Sequence, residues 1–253
     1  MIPFGAAGDR EGREMSGFGQ TLRELAAAQK SGKGVSFYSR LVNRPAGRVL
    51  AAAAHRLGLT PNQVTLVSAG CTGGAIATIA VASPTRPVAV GVFAALVVGF
   101  ALDSADGQLA RLTGTQHPSG EWLDHLVDCA KLLFLHMAVL ISFYRFFDLP
   151  DTAFLLVPIV FQGAAVLVFF GGVLTEQLKR AAAANAPVAP PPAPPSTLRS
   201  LALLPADYGL FCAVFLFLGD HDVFLVLYCA FLAAQVLFLV AFCVKWFREL
   251  SRV

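Results

Sequence analysis

Residues Asp103 to Asp128 read DSADGQLARLTGTQHPSGEWLDHLVD, and long apolar runs flank them on both sides. The stretch carries four aspartates in two pairs, Asp103 with Asp106 and Asp124 with Asp128. Gly107, Ala110, Arg111 and Gly120 stand between the pairs. Spacings of three and four residues put each pair on one helical face. A polar break between Arg111 and Gly120 turns the chain back, so two antiparallel helices carry the aspartates inward. Counting eight residues back from Arg111 reaches Asp103, and eight on from Gly120 reaches Asp128. At 1.5 Å per residue both lie roughly 12 Å below a shared surface. Asp106 and Asp124 share a shallower level. All four carboxylates are expected in one pocket open at that surface. Carboxylates in or beside apolar spans are costly and mark function.

Working outward, the chain has 253 residues, 56% of them hydrophobic and 14% charged. Soluble domains carry about 25% charged residues, so the composition predicts an all-α integral membrane protein. Six transmembrane helices are expected, over about 62–82, 88–109, 120–143, 152–174, 201–218 and 223–244. Each is near the ~20 residues that cross a bilayer. Thr60 and Pro61 make a start signal for the first. Residues 1–35 are polar and read as a loose cytoplasmic segment, with a short helix over Thr21–Lys30. No apolar run follows the first basic residues, so a cleaved signal peptide is not expected. Residues 36–58 alternate Arg40, Arg44, Arg48 and Arg56 with apolar residues, the pattern of an N-terminal interfacial amphipathic helix broken at Pro45. The six-helix domain covers 59–247, interrupted by an Ala/Pro-rich linker at 181–198, and 248–253 is a tail. Five single cysteines without metal-like spacing read as small buried residues.

Loop charge gives the orientation. Arg40 to Arg56, Arg111, Lys179, Arg180, Arg199, Lys245, Arg248 and Arg252 fall on one face, and the opposite loops hold only Arg86 and Arg145. The positive-inside rule then puts both termini and the aspartate pocket on the cytoplasmic side. The Ala-, Gly- and Arg-rich usage suggests a bacterial cell membrane. A net charge of +3 gives no sign of a nucleic-acid partner.

Four crowded carboxylates repel unless a cation joins them, and hard oxygen ligands suit Mg2+ or Mn2+. Two such ions can bridge the phosphates of a substrate. Arg111 can hold a phosphate in a bidentate fork, and Gly107 and Ala110 let a ligand pass close to the backbone. The combination predicts nucleotide or pyrophosphate chemistry. A cation transporter with an intramembrane carboxylate cluster is the reading from another class; Arg111 and the two motif glycines count against it.

The order Asp103-x2-Asp106-Gly107-x2-Ala110-Arg111-x8-Gly120-x3-Asp124-x3-Asp128 resembles the signature of the CDP-alcohol phosphotransferases (CDP-alcohol phosphatidyltransferases), with all eight fixed positions matched. LTPNQVT at Leu59–Thr65 and the six spans are similar to that family too. The resemblance implies a CDP-linked donor, often CDP-diacylglycerol, held near Gly107, Ala110, Arg111 and Gly120. It implies metal ligation by Asp103, Asp106, Asp124 and Asp128, with Asp128 also the general base. An alcohol acceptor attacks the phosphorus distal to cytidine and CMP leaves, in phospholipid synthesis. It further implies a homodimer among membrane lipids. On the acceptor side Glu121, His125 and Lys131 are candidates. GEWLDH is similar to the choline and ethanolamine phosphotransferase form of the motif, whereas Lys131 suits an anionic acceptor. Asp207 and Tyr208, with Arg199, are further candidates for reaching the acceptor.

Overall fold

The computed structural model describes residues 17–27, 37–184 and 207–252, which form helices and short connections with no strand. The expectations for residues 1–16, 28–36, most of the linker, Arg199 and Leu201 to Ala206 lie outside the described residues. The helices are α1 (Phe18–Ala27), α2 (Arg44–Arg56), α3 (Pro61–Val81), α4 (Arg86–Thr113), α5 (Pro118–Phe146), α6 (Leu156–Ala184), α7 (Tyr208–Val214) and α8 (His221–Leu250). A π-helical turn at Ser39–Asn43 leads into α2, and 3-10 turns precede α6 and follow α7.

Local chemistry sets the boundaries. Thr60 closes a capping box on α3: its hydroxyl accepts from the Gln63 N–H at 3.3 Å, and Gln63 Oε1 accepts from the Thr60 N–H at 2.9 Å. Gly114, at φ 65°, ends α4 in the left-handed conformation that glycine adopts without strain. His117 Nδ1 then accepts from the Ser119 N–H at 3.2 Å, and Pro118 opens α5. The turn between the two aspartate-bearing helices is therefore short and fixed at both ends. Pro45 sits in the first turn of α2, and the break expected there does not occur: the chain stays helical from the π turn at Ser39–Asn43 into α2.

Among the described residues five helices are long and apolar enough to cross a membrane: α3, α4, α5, α6 with its preceding turn, and α8. The expected span over 201–218 differs. Its described part is a short apolar helix, Tyr208–Phe217, preceded by Asp207 as N-cap. Asp207 accepts from the Gly209 N–H at 2.7 Å and starts the helix there. α6 continues to Ala184, four residues into the stretch read as linker, and α8 runs to Leu250, into the expected tail. Part of the segment expected to be loose is α1, which buries Leu25 against Ala51, Ala52 and Leu109.

The core divides in two. α4 packs against α2 and α3, and α3 against α5. Small residues permit the close approach, as expected for membrane helices. A Cβ on Gly99 would collide with Thr72, and Ser68 Oγ donates to the Gly99 carbonyl at 2.8 Å. A Cβ on Gly47 would lie 2.8 Å from Ser104 Oγ and 2.9 Å from Gln108 Nε2, which donates to the Arg44 carbonyl at 3.2 Å. Beyond α5, the helices α5 to α8 enclose an aromatic cluster of Phe143, Phe161, Phe211, Phe215, Phe224 and Tyr228. His136 lies inside it, bonded through Nδ1 to the Tyr228 hydroxyl at 2.6 Å and stacked on Phe161 at 4.2 Å. At one end of the bundle Arg180 Nη1 donates to Glu121 at 2.6 Å, and Lys179 pairs with Glu249. These pairs set the C-terminal ends of α6 and α8 beside the start of α5, gathering the basic residues there on one face. Arg145 lies at the other end, donating to the Ala80 carbonyl at 3.0 Å.

Gly47→Val should separate α2 from α4 and lower stability by ~1–3 kcal/mol. The thermal melt in detergent should fall by several degrees, while Gly70→Ala, which has no neighbour within 4 Å of its added Cβ, should leave it nearly unchanged.

Candidate active site

α4 brings Asp103 against Asp124 and Asp128 of α5. One carboxylate oxygen from each lies within 4.8 Å of the others, and all three residues are partly buried. That spacing and an all-oxygen donor set fit a hard divalent cation. Unit charges 4 Å apart at an effective dielectric of 20 interact by about 4 kcal/mol, so the group demands positive charge.

Lys131 supplies part of it. Its ammonium pairs with Asp103, donates to Asp128 Oδ1 at 3.2 Å and donates to Ser68 Oγ at 3.2 Å. Ser68 accepts there because its own proton goes to the Gly99 carbonyl. The three N–H donors of an ammonium are thus all used. The acceptor-side candidate Lys131 sits within the carboxylate cluster, and one positive charge offsets only one of three negative charges.

Asp106 stands apart from the mutually close oxygens. It is 5% exposed, and its Oδ2 accepts from the Thr65 hydroxyl of α3 at 2.6 Å. Thr65 Oγ1 also lies 3.1 Å from the Pro61 carbonyl, the usual back-bond of a helical threonine. The four aspartates therefore form a trio plus one carboxylate turned to α3, because α3 packs on both α4 and α5. The start of α3 also reaches Gly120: a Cβ there would lie 3.3 Å from Asn62 Oδ1. A Cβ on Gly107 would lie 3.4 Å from Arg111 Nη1, so the missing side chain leaves the guanidinium its room. Ala110 adjoins Arg111 on α4. Arg44 of α2 lies close enough to Arg111 for their charges to interact. Burial, with Arg40 adding to it, holds the Arg44 pKa below its ordinary value; the guanidinium stays charged. Two arginines from different helices make this flank suited to an anion.

Glu121 and His125 face α6. Glu121 takes Arg180 at 2.6 Å and Gln177 at 3.2 Å, while His125 Nε2 lies 3.7 Å from Glu121 and its ring meets Phe169 edge-on. Asp207 is buried; its Oδ2 accepts from the Ser39 N–H at 3.3 Å and lies 3.4 Å from Ser39 Oγ, tying α7 to the chain before α2. Tyr208 lines the same cavity as Asp103, Asp128 and Lys131. Ser68 escaped the sequence reading, as one small residue among many in α3; only the depth match with Lys131 could have signalled it.

The CDP-alcohol phosphatidyltransferase family model matches residues 58–244, and the chain belongs to that family. No curated protein matches the chain. The family transfers a phosphate-linked group from a CDP-alcohol to an acceptor and depends on divalent metal. The protein is therefore a transferase of phosphate-containing groups, in phospholipid biosynthesis at a membrane. That membership removes the case for a transporter.

Thr65→Val should strand the buried Asp106 carboxylate and lower stability by ~1–3 kcal/mol, read as a lower detergent melt. Thr65→Ser keeps the donor and should recover most of the loss.

Proposed function

We propose that the protein transfers a phosphate-linked group from a CDP-activated donor, CDP-diacylglycerol in the first reading, to the hydroxyl of an alcohol, with release of CMP. The observation that carries it is the trio of carboxylates, joined across α4 and α5 in a chain that matches all eight motif positions. Asp103, Asp124 and Asp128 would hold divalent metal, two Mg2+ or Mn2+ ions in this reading, with Asp106 completing the set. Bound there, the metal supplies charge neutralisation for the pyrophosphate and its leaving group.

The chain's own groups do the rest. Arg111 grips a phosphate, with Arg44 adding positive charge on the same flank. Gly107, Ala110 and Gly120 leave space for the cytidine against the backbone. Asp128 takes the proton from the acceptor hydroxyl; the acceptor oxygen bonds to the phosphorus distal to cytidine. The bond from that phosphorus to the bridging oxygen breaks, and CMP leaves with the electron pair. Asp128 works by position more than by basicity. Orientation of the two substrates supplies much of the rate.

A second reading is choline- or ethanolamine-type transfer from a CDP-headgroup to a lipid alcohol. The adjacency of Glu121 and His125, 3.7 Å apart beside the motif, favours it. In either reading the protein is a multi-pass protein of a bacterial cell membrane. Its basic face, active site and both termini are cytoplasmic, and residues 36–58 lie in the interface. Val49 on α2 and Leu57 just past its end, both exposed, suit that placement. The exposed small residues of α3 suit a homodimer contact.

Purified protein given CDP-linked donors, a panel of alcohols and Mg2+ or Mn2+ should release CMP, and chelation should stop it. Absence of CMP with every pair refutes the reading. Asp128→Asn should lower turnover by ~10²–10⁴-fold while donor binding persists; normal turnover would remove Asp128 as the base.

A further inference from the structure

Lysines in membrane spans normally snorkel, laying the stem along apolar surface and keeping the ammonium in water. Lys131 does the reverse. It lies 13 residues into α5 from Pro118, roughly 20 Å along the helix, and its side chain is only 11% exposed. Its ammonium enters a socket built by three helices. Asp103 of α4 pairs with it, Asp128 Oδ1 of α5 accepts from it at 3.2 Å, and Ser68 Oγ of α3 accepts from it at 3.2 Å. The Ser68 oxygen is aimed by its own proton, which goes to the Gly99 carbonyl at 2.8 Å. That contact needs a glycine, because a Cβ on Gly99 would collide with Thr72. Three acceptors match the three N–H donors of an ammonium, so the socket is complete for one lysine.

Two of those acceptors belong to the trio that fits a hard divalent cation. Lysine and metal therefore call on the same carboxylates. If the ion takes the oxygens that Lys131 holds, the ammonium is left partly buried without its counter-charges. If it takes the second oxygen of each carboxylate, it comes to rest close to a like charge in surroundings that screen poorly. Either way the lysine lowers the affinity of the cluster for metal. Without it, the carboxylates would repel one another unchecked until metal arrived.

We propose that Lys131 is the resident cation of the metal site: it holds the unloaded carboxylates together and, by opposing divalent metal, sets how tightly the site takes it. This rests on the phosphotransfer reading only for the placement of metal on Asp103, Asp124 and Asp128. Lys131 is then a positioning residue that acts through Asp103 and Asp128, and its donors serve them instead of an acceptor. The sign of the effect separates this role from packing. Removing a lysine that only packs loosens the cluster and weakens metal binding, whereas removing a resident cation tightens it.

The test uses the full chain in phosphatidylcholine nanodiscs, stripped of metal by chelation and titrated with Mn2+. Bound ion is read from the loss of the free-Mn2+ paramagnetic resonance signal. Lys131→Gln, which keeps a hydrogen-bond donor and removes the charge, should bind Mn2+ about tenfold tighter or more. Its metal-free melt should lie below that of the wild type, and saturating Mn2+ should raise it by more than it raises the wild type. Ser68→Ala removes one wall of the socket but leaves the lysine and every carboxylate. It should bind Mn2+ about two- to fivefold tighter, the worth of one hydrogen bond, and it decides the sign if Lys131→Gln does not fold. Affinity equal to or weaker than wild type in the deciding variant overturns the proposal, as does absence of Mn2+ binding in all three proteins. CMP release by the wild type, measured alongside with CDP-linked donors and the alcohol panel, keeps the two questions apart. CMP with unchanged Mn2+ affinities leaves phosphotransfer standing and removes Lys131 from the metal site. Tighter Mn2+ binding without CMP from any pair supports the role of Lys131 and sinks phosphotransfer.

Discussion

The fold is built around the approach of three carboxylates from two helices inside an apolar bundle. Asp103, Asp124 and Asp128 would drive α4 and α5 apart if left alone, and Lys131 counters part of their repulsion. Removing one partner from a buried ionic group costs ~3–5 kcal/mol. The structure therefore invests several close contacts in holding this arrangement. Ser68 receives Lys131 and is itself locked to the Gly99 carbonyl, which ties α3 to α4 at the depth of the cluster. Thr65 does the same one turn nearer the surface, through Asp106. α3 thus serves as a polar spine for the aspartate-bearing pair.

Around this centre the two flanks differ in chemistry. Towards α2 the residues are basic and small: Arg44, Arg111, Gly107, and Gly120 with Asn62 across from it. Towards α5 to α8 they are aromatic. A reaction between a charged, nucleotide-linked donor and an alcohol suits such asymmetry, because one substrate is a polyanion and the other is an alcohol. The close packing of α2 on α4 through Gly47 places the basic flank beside the cluster. α7, whose Tyr208 lines one cavity with Asp103, places the aromatic one.

Much of this could be read from the chain because it is written in local spacing. The three- and four-residue intervals of the aspartates, the Thr60–Pro61 start and the polar turn at Gly114–His117 each act within one or two helical turns. The contacts that escaped are long-range. Lys131 shares a face with Asp128 by spacing, yet its pairing with Asp103 depends on how α4 rotates against α5. Asp207 meets Ser39 across 168 residues, and nothing near either residue announces it. The short α7 was hidden because hydropathy counts apolar residues and is blind to an aspartate that caps a helix late. The division of the four aspartates into a trio and a Thr65-bound fourth required the position of a third helix.

The most direct measurement is a crystal or cryo-cooled structure of the protein with Mn2+ and a CDP-linked donor, read through manganese anomalous scattering. The account predicts manganese peaks among Asp103, Asp124 and Asp128, with the donor's pyrophosphate next to them and Arg111 on a phosphate. Manganese absent from that cluster while the donor binds elsewhere would contradict it.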